Sequence, residues 1–190
     1  MIERNFIDTN NEEFWNAFTH FIGLILSLIG IPFLFLYNTH ISILSLFSLS
    51  LFSLGLVMVY GCSTIYHRVS EINLKRKFKV LDHISVFYLI LGSYAPVCLI
   101  TLYDYSGLLI FFSVLIIAIV GTILKIFYTG RMEMLFLLCY LAMGWFIIID
   151  IQTLFEIINT KAKLLLIAGG ISYTVGVLFY AFDKIKFFHS

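Results

Sequence analysis

Ser63 and His67 stand four residues apart, a spacing that puts both side chains on one side of a helix. Asp82 follows across a short basic connection, and His20, His83 and His189 are the other imidazoles that the chain order can bring to the same end of a helical bundle. His40 falls at the opposite end. Imidazole nitrogen is a favoured zinc ligand, and a catalytic zinc keeps about three protein ligands and a water whose pKa falls to near 7. A neighbouring aspartate can orient a histidine or take a proton from that water, and a serine hydroxyl can polarise a carbonyl. The plainer reading of the same residues is hydrogen bonding between helix ends at the level of lipid headgroups. Glu12, Glu13, Asn16 and His20 likewise read as the acidic, capped start of a first helix.

The elements that must position these groups follow from composition. Of 190 residues, 61% are hydrophobic and 12% charged, and the mean hydropathy is +1.02. A soluble domain of this size has no place for so much apolar material, so lipid is the expected solvent. A net charge of +1 and a pI of about 7.7 leave no basic face for phosphates, which excludes nucleic acid as a partner. Cys62, Cys98 and Cys139 lie in apolar stretches without a C-x-x-C pair, which predicts small buried side chains rather than a disulfide framework or thiolate metal site. The first 17 residues are acidic and polar (Glu3, Asp8, Glu12, Glu13), unlike a cleavable signal, so the first apolar run is expected to be a permanent anchor.

A helix needs roughly 20 mostly apolar residues to cross the hydrocarbon while satisfying its own backbone. No Asp, Glu, Lys or Arg occurs from Phe14 to His67, which gives two spans divided by a turn at Tyr37-Asn38-Thr39-His40. The predicted spans are about 18–37, 41–66, 82–103, 105–127, 132–154 and 163–182. The fifth reaches full length only with Asp150 and Gln152 at the interface. Pro32 and Pro96 are tolerable as kinks, and Gly23, Gly30, Gly55, Gly61, Gly92, Gly144, Gly169, Gly170 and Gly176 are expected to let helices approach closely. The expected fold class is an all-α polytopic transmembrane bundle forming one compact domain, 18–190, behind a cytoplasmic segment, 1–17. Orientation comes from Lys and Arg. With the N-terminus inside, the cytoplasmic side carries Arg4, Arg68, Lys75, Arg76, Lys77, Lys79, Lys125, Arg131, Lys184 and Lys186, against Lys161 and Lys163 opposite.

Three motifs then carry a family likeness. Glu12-Glu13-Phe14-Trp15-Asn16-Ala17-Phe18-Thr19-His20 resembles the opening motif of hemolysin III proteins. Tyr60-Gly61-Cys62-Ser63-Thr64-Ile65-Tyr66-His67-Arg68 resembles their second-span motif, and Leu81-Asp82-His83-Ile84-Ser85 with Gly92-Ser93-Tyr94-Ala95-Pro96 their third. The likeness is to the hemolysin III branch of the progestin and adipoQ receptor family, in a superfamily that includes alkaline ceramidases. It implies a seven-span fold with the N-terminus inside, a bacterial inner-membrane location, and a zinc site built from the second-span histidine and an H-x-x-x-H pair in the seventh span. Carried over, the metal ligands are His67 and His189, accompanied by Ser63 and Asp82 as the candidate catalytic pair. Lys186-Phe187-Phe188-His189-Ser190 resembles the start of the seventh-span motif, in a segment at 187–190. The pair's second histidine would fall four residues after His189, beyond Ser190, so the implied site is expected to be incomplete in this chain.

The resemblance implies three functions: a zinc-dependent hydrolase of a lipid amide or ester, a hemolysin-like pore, and a receptor or membrane-homeostasis sensor. The hydrolase makes a membrane lipid the expected partner. The pore reading lacks a span with a continuous polar stripe, and the receptor reading lacks an extracellular domain for a protein ligand.

Overall fold

The computed structural model describes residues 2–39 and 41–184, with side-chain surroundings over 11–179, residue 40 apart. Among the described residues there is no strand; the protein is all-α. The order is α1 (Ile2–Leu36), α2 (Ile43–Arg68), α3 (Ile72–Pro96), a π-helical turn (Val97–Thr101), α4 (Gly107–Tyr128), α5 (Glu133–Gly144), a 3-10 segment (Phe146–Asp150), α6 (Ile151–Ile157) and α7 (Thr160–Lys184). Among the described residues six stretches are long and apolar enough to cross a membrane: Asn11–Leu36, Ile43–Arg68, Ile72–Thr101, Gly107–Tyr128, Glu133–Ile157 and Thr160–Phe179. Their outward residues, such as Leu26, Leu109, Phe127 and Leu165, are large and apolar, which suits hydrocarbon as the solvent.

Two helices begin earlier than the charge pattern predicts. The segment read as a cytoplasmic lead-in over 1–17 is helical from Ile2 and continuous with the first span, for no glycine or proline breaks it. Glu12, Glu13, Asn16 and His20 therefore sit in a helix interior, not at a capped start. Similarly, the basic connection before Asp82 is the first turns of α3. Glu71 starts it: its carboxylate accepts from the Asn73 and Leu74 amides, each at 2.8 Å. Those two bonds hold the exposed Glu71 carboxyl below its ordinary range.

The chain divides into two compact units, Met1–Pro96 and Val97–Ser190. In the first, α2 packs between α1 and α3. Ser42 caps α2 by accepting from the Ser45 amide at 3.1 Å, and Asn38 donates to Ser45 Oγ at 2.6 Å across the α1–α2 turn. Small residues are buried in both helices, Ser45, Ser48, Ser53, Gly55 and Ser63 in α2 and Ser85 and Gly92 in α3. Several of these hydroxyls turn back on their own helix, as Ser48 does on Leu44 O and Ser53 on Leu49 O, each at 2.7 Å, so they cost the membrane nothing unsatisfied. A Cβ placed on Gly55 would meet the Leu89 backbone at 2.9 Å, and one on Gly92 the Leu51 carbonyl at 2.8 Å. The two backbones are thus in direct contact in one antiparallel register, which Ser63 and Asp82 continue toward the other end. Gly30, Gly61, Gly169, Gly170 and Gly176 have no such neighbour within 4 Å, so the close approach expected of them is absent there.

In the second unit, Leu102 N donates to Val97 O at 2.9 Å, the wide turn that follows Pro96. Gly107 starts α4 so close to that turn that a Cβ there would run into the Cys98 carbonyl oxygen. The span at Glu133–Ile157 is broken, not continuous: α5 ends at Gly144, and Asp150 in the 3-10 segment accepts from Ser106 Oγ at the head of α4. Lys125, 1% exposed, pairs with Glu133 Oε2 at 2.7 Å and lies 4.1 Å over the Phe136 ring. Cys98 is buried, Cys62 and Cys139 half-buried, and all three are free.

Candidate functional site

The polar residues singled out in the first unit gather where the end of α2 meets the early turns of α1 and the interior of α3. Ser63 is 5% exposed, on the side of α2 that faces α3, and its Oγ donates to Asp82 Oδ1 at 2.5 Å. One turn on, His67 turns toward α1, where its Nδ1 lies 3.0 Å from Glu13 Oε2. The same carboxylate oxygen accepts from Lys75 Nζ at 2.9 Å, so a single group of α1 ties α2 to α3. Lys75 also lies 5.3 Å over the Tyr66 ring.

His20 lies seven residues beyond Glu13 on the same side of α1, and its ring stacks parallel to His67, with centroids 5.7 Å apart and planes 4° apart. The Tyr60 ring lies 6.2 Å from His20, and both His67 and Asp82 are within electrostatic reach of His20. His83 follows Asp82 on α3 and is half-buried. His189 lies outside the described residues.

The structure therefore brings together Ser63, His67, Asp82 and His20, and adds Glu13 and Lys75, which the sequence reading assigned to a helix start and a basic loop. The seven-residue interval from Glu13 to His20, two helical turns, was the signal for Glu13; it became informative once Glu13 was inside a helix. Lys75 left no mark among its basic neighbours.

One expectation changes in detail. With its proton directed to Asp82, Ser63 offers lone pairs to an incoming group rather than a hydrogen to a carbonyl.

The fit to zinc is partial. His67 is held as metal-ligating histidines are, with one ring nitrogen on a carboxylate and the other, Nε2, left for a metal. Yet among the described residues no group of three or more His, Cys, Asp or Glu side chains is placed to hold a metal ion. Among the described residues, His20, His83 and Asp82 form no such group with His67.

A family profile described as Haemolysin-III related matches residues 8–189, which includes every residue of this cluster. The chain belongs to the haemolysin III family. Hemolysin-3 of Bacillus cereus is 35% identical over 180 residues, covering 94% of this chain and 82% of that one. A Hemolysin-3 homolog of Bacillus subtilis (strain 168) is 33% identical over 183 residues, covering 96% of this chain and 86% of its own. No solved structure matches the chain. Six apolar spans and bacterial haemolysin III relatives make it an integral membrane protein of the bacterial plasma membrane.

Proposed function

We propose that this haemolysin III protein is a membrane-embedded hydrolase of a lipid amide or ester, worked by the Ser63–Asp82 pair beside His67. The observation that carries the proposal is the bond from Ser63 Oγ to Asp82 Oδ1, made between two helices at a span end and one helical turn from an imidazole pinned by a carboxylate. Ionisable groups at that depth are expensive, and structural packing alone is served by the hydroxyls that turn back on their own helices.

In this reading Asp82 is the base that accepts a proton from the attacking water, and Ser63, its own hydrogen on Asp82 Oδ1, orients that water by accepting its other O–H. Water adds across the acyl C–N or C–O bond, giving a carboxylic acid and an amine or alcohol. His67 and His189 are the proposed zinc ligands, and a bound zinc would supply a Lewis acid and an acidified water. Because the described donors are incomplete, no step is assigned through the metal.

The test is a double-mutant cycle on turnover of long-chain N-acyl amides and acyl esters in mixed micelles. Ser63→Ala and Asp82→Asn should each remove most of the activity, and the double variant should lose no more than the worse single one, because the two act as a unit. Independent, multiplicative losses would contradict the pair, and absence of hydrolysis by intact wild type with zinc supplied would end the reading.

The printed name of the relatives, Hemolysin-3, favours a second reading, cytolysis by pore formation. Vesicles carrying the protein should then leak a trapped dye; tight vesicles reject it. Against it, the buried Ser48 and Ser53 hydroxyls of α2 bond to carbonyls of their own helix instead of lining an aqueous path.

A further inference from the structure

We infer that α1 is a positioning clamp for His67, with Glu13 fixing the edge of the imidazole and His20 set parallel against it in an offset stack. This rests on the reading of His67 as a functional imidazole given above, but the clamp is a separate property of the chain and can stand or fall by itself.

Glu13, Ala17 and His20 follow one another along one side of α1, and Ala17, at 7% exposure, lets that side come close to α2. Glu13 sits one turn before Ala17 and reaches His67 Nδ1 at 3.0 Å; His20 sits one turn after, its ring parallel to and offset from that of His67. The two contacts constrain different freedoms. A hydrogen bond in the ring plane opposes rotation about the Cβ–Cγ bond, whereas a stacked ring opposes tilting out of that plane. Tyr66, with its ring centroid 4.7 Å from that of His67, closes a further side.

The chemical consequence concerns which nitrogen is available. A carboxylate can only accept, so in neutral His67 the proton must reside on Nδ1, and the Nε2 lone pair is the one presented outward. Lys75 pairs with the same Glu13 oxygen at 2.9 Å and keeps the acceptor in place. An isolated histidine near the end of a helix would exchange tautomers and rotamers; here three helices fix one of each. Glu13, His20 and Lys75 are positioning residues, since each acts through His67.

The experiment uses full-length protein in nanodiscs, labelled with 15N-histidine and kept metal-free with chelator, at one pH where the imidazole is neutral. His67 is assigned by the signal lost in His67→Gln. Wild type should show His67 with a protonated Nδ1 and a bare Nε2. Glu13→Gln, whose amide can both donate and accept, should lower the ratio of the two tautomers by roughly tenfold, as removal of a charge-assisted hydrogen bond would. His20→Ala should broaden the His67 ring signals through added motion, and His20→Phe, which keeps a stacked ring, should restore them. A wild-type His67 protonated on Nε2, or a tautomer ratio unmoved in Glu13→Gln, overturns the clamp. If the tautomer behaves as stated while no lipid is hydrolysed, the hydrolase reading fails and the clamp survives. Should hydrolysis proceed with the tautomer ratio unmoved in Glu13→Gln, the reverse holds.

Discussion

A methyl group on Gly92 would stand 2.8 Å from the Leu51 carbonyl oxygen and 2.9 Å from Phe52 Cα, where ordinary contact begins at 3.4 Å. On Gly55 it would meet Leu89 Cα and Tyr88 O at 2.9 Å. All four obstacles are backbone, so no side chain can swing aside, and α2 and α3 must part by roughly half an ångström, an overpacking cost of about 1–3 kcal/mol at either site. Gly55→Ala with Gly92→Ala should cost less than the sum, because the first methyl already opens the seam that the second needs. Gly30 and Gly61 supply the control. Each is helical with nothing within 4 Å of its missing Cβ, so alanine there should be neutral or stabilise by up to about 1 kcal/mol through helix propensity. The assay is reversible unfolding in bicelles, read by tryptophan fluorescence, with the four single variants and the double variant side by side. Equal midpoints for Gly92→Ala and Gly61→Ala would refute the close antiparallel seam, and with it the register that joins Ser63 to Asp82.

Further expectations concern the helix ends. Glu71 has its carboxyl depressed by two amide bonds, so its stabilisation is complete above the unfolded value of about 4.3 and is lost as pH falls through the lower folded value. The difference in thermal midpoint between wild type and Glu71→Ala should therefore be full at pH 7 and vanish in acid; a gap independent of pH would contradict the cap. Glu133→Gln leaves the buried Lys125 ammonium without its carboxylate and should destabilise by about 3–5 kcal/mol, while adding Lys125→Met to it should recover most of that loss. Denaturant midpoints decide it, and an unrecovered double variant would place the stabilisation elsewhere.

The spans were legible because lipid imposes a simple rule, and the uncharged run from Phe14 to His67 could satisfy it only as helix. Where each helix began was not. Polar residues end a membrane span but do not end a helix, so the segments before Phe14 and before Asp82 carry on in helical form beyond the apolar stretch. The interruption at Gly144 and Asp150 left a trace, the short apolar core of the fifth span, though its 3-10 form depends on Asp150 finding Ser106 far away in the chain. At the site, Ser63 and His67 announced themselves by a spacing of four, and Asp82 by its place just across the short basic connection that follows them. Glu13 and Lys75 were hidden, since a carboxylate and an ammonium at a membrane boundary look like solvated charges until the packing of three helices puts Glu13 between His67 and Lys75.

The central claim is that this cluster performs hydrolysis, and it is met most directly by following free fatty acid by mass spectrometry. Intact protein in nanodiscs is given an N-acyl lipid and its ester counterpart while zinc is titrated from zero. The account predicts release of acid that rises with zinc and is abolished in Asp82→Asn and His67→Ala, both still folded. Zinc-loaded wild type that releases no acid from either lipid, or an Asp82→Asn variant as active as wild type, would contradict it.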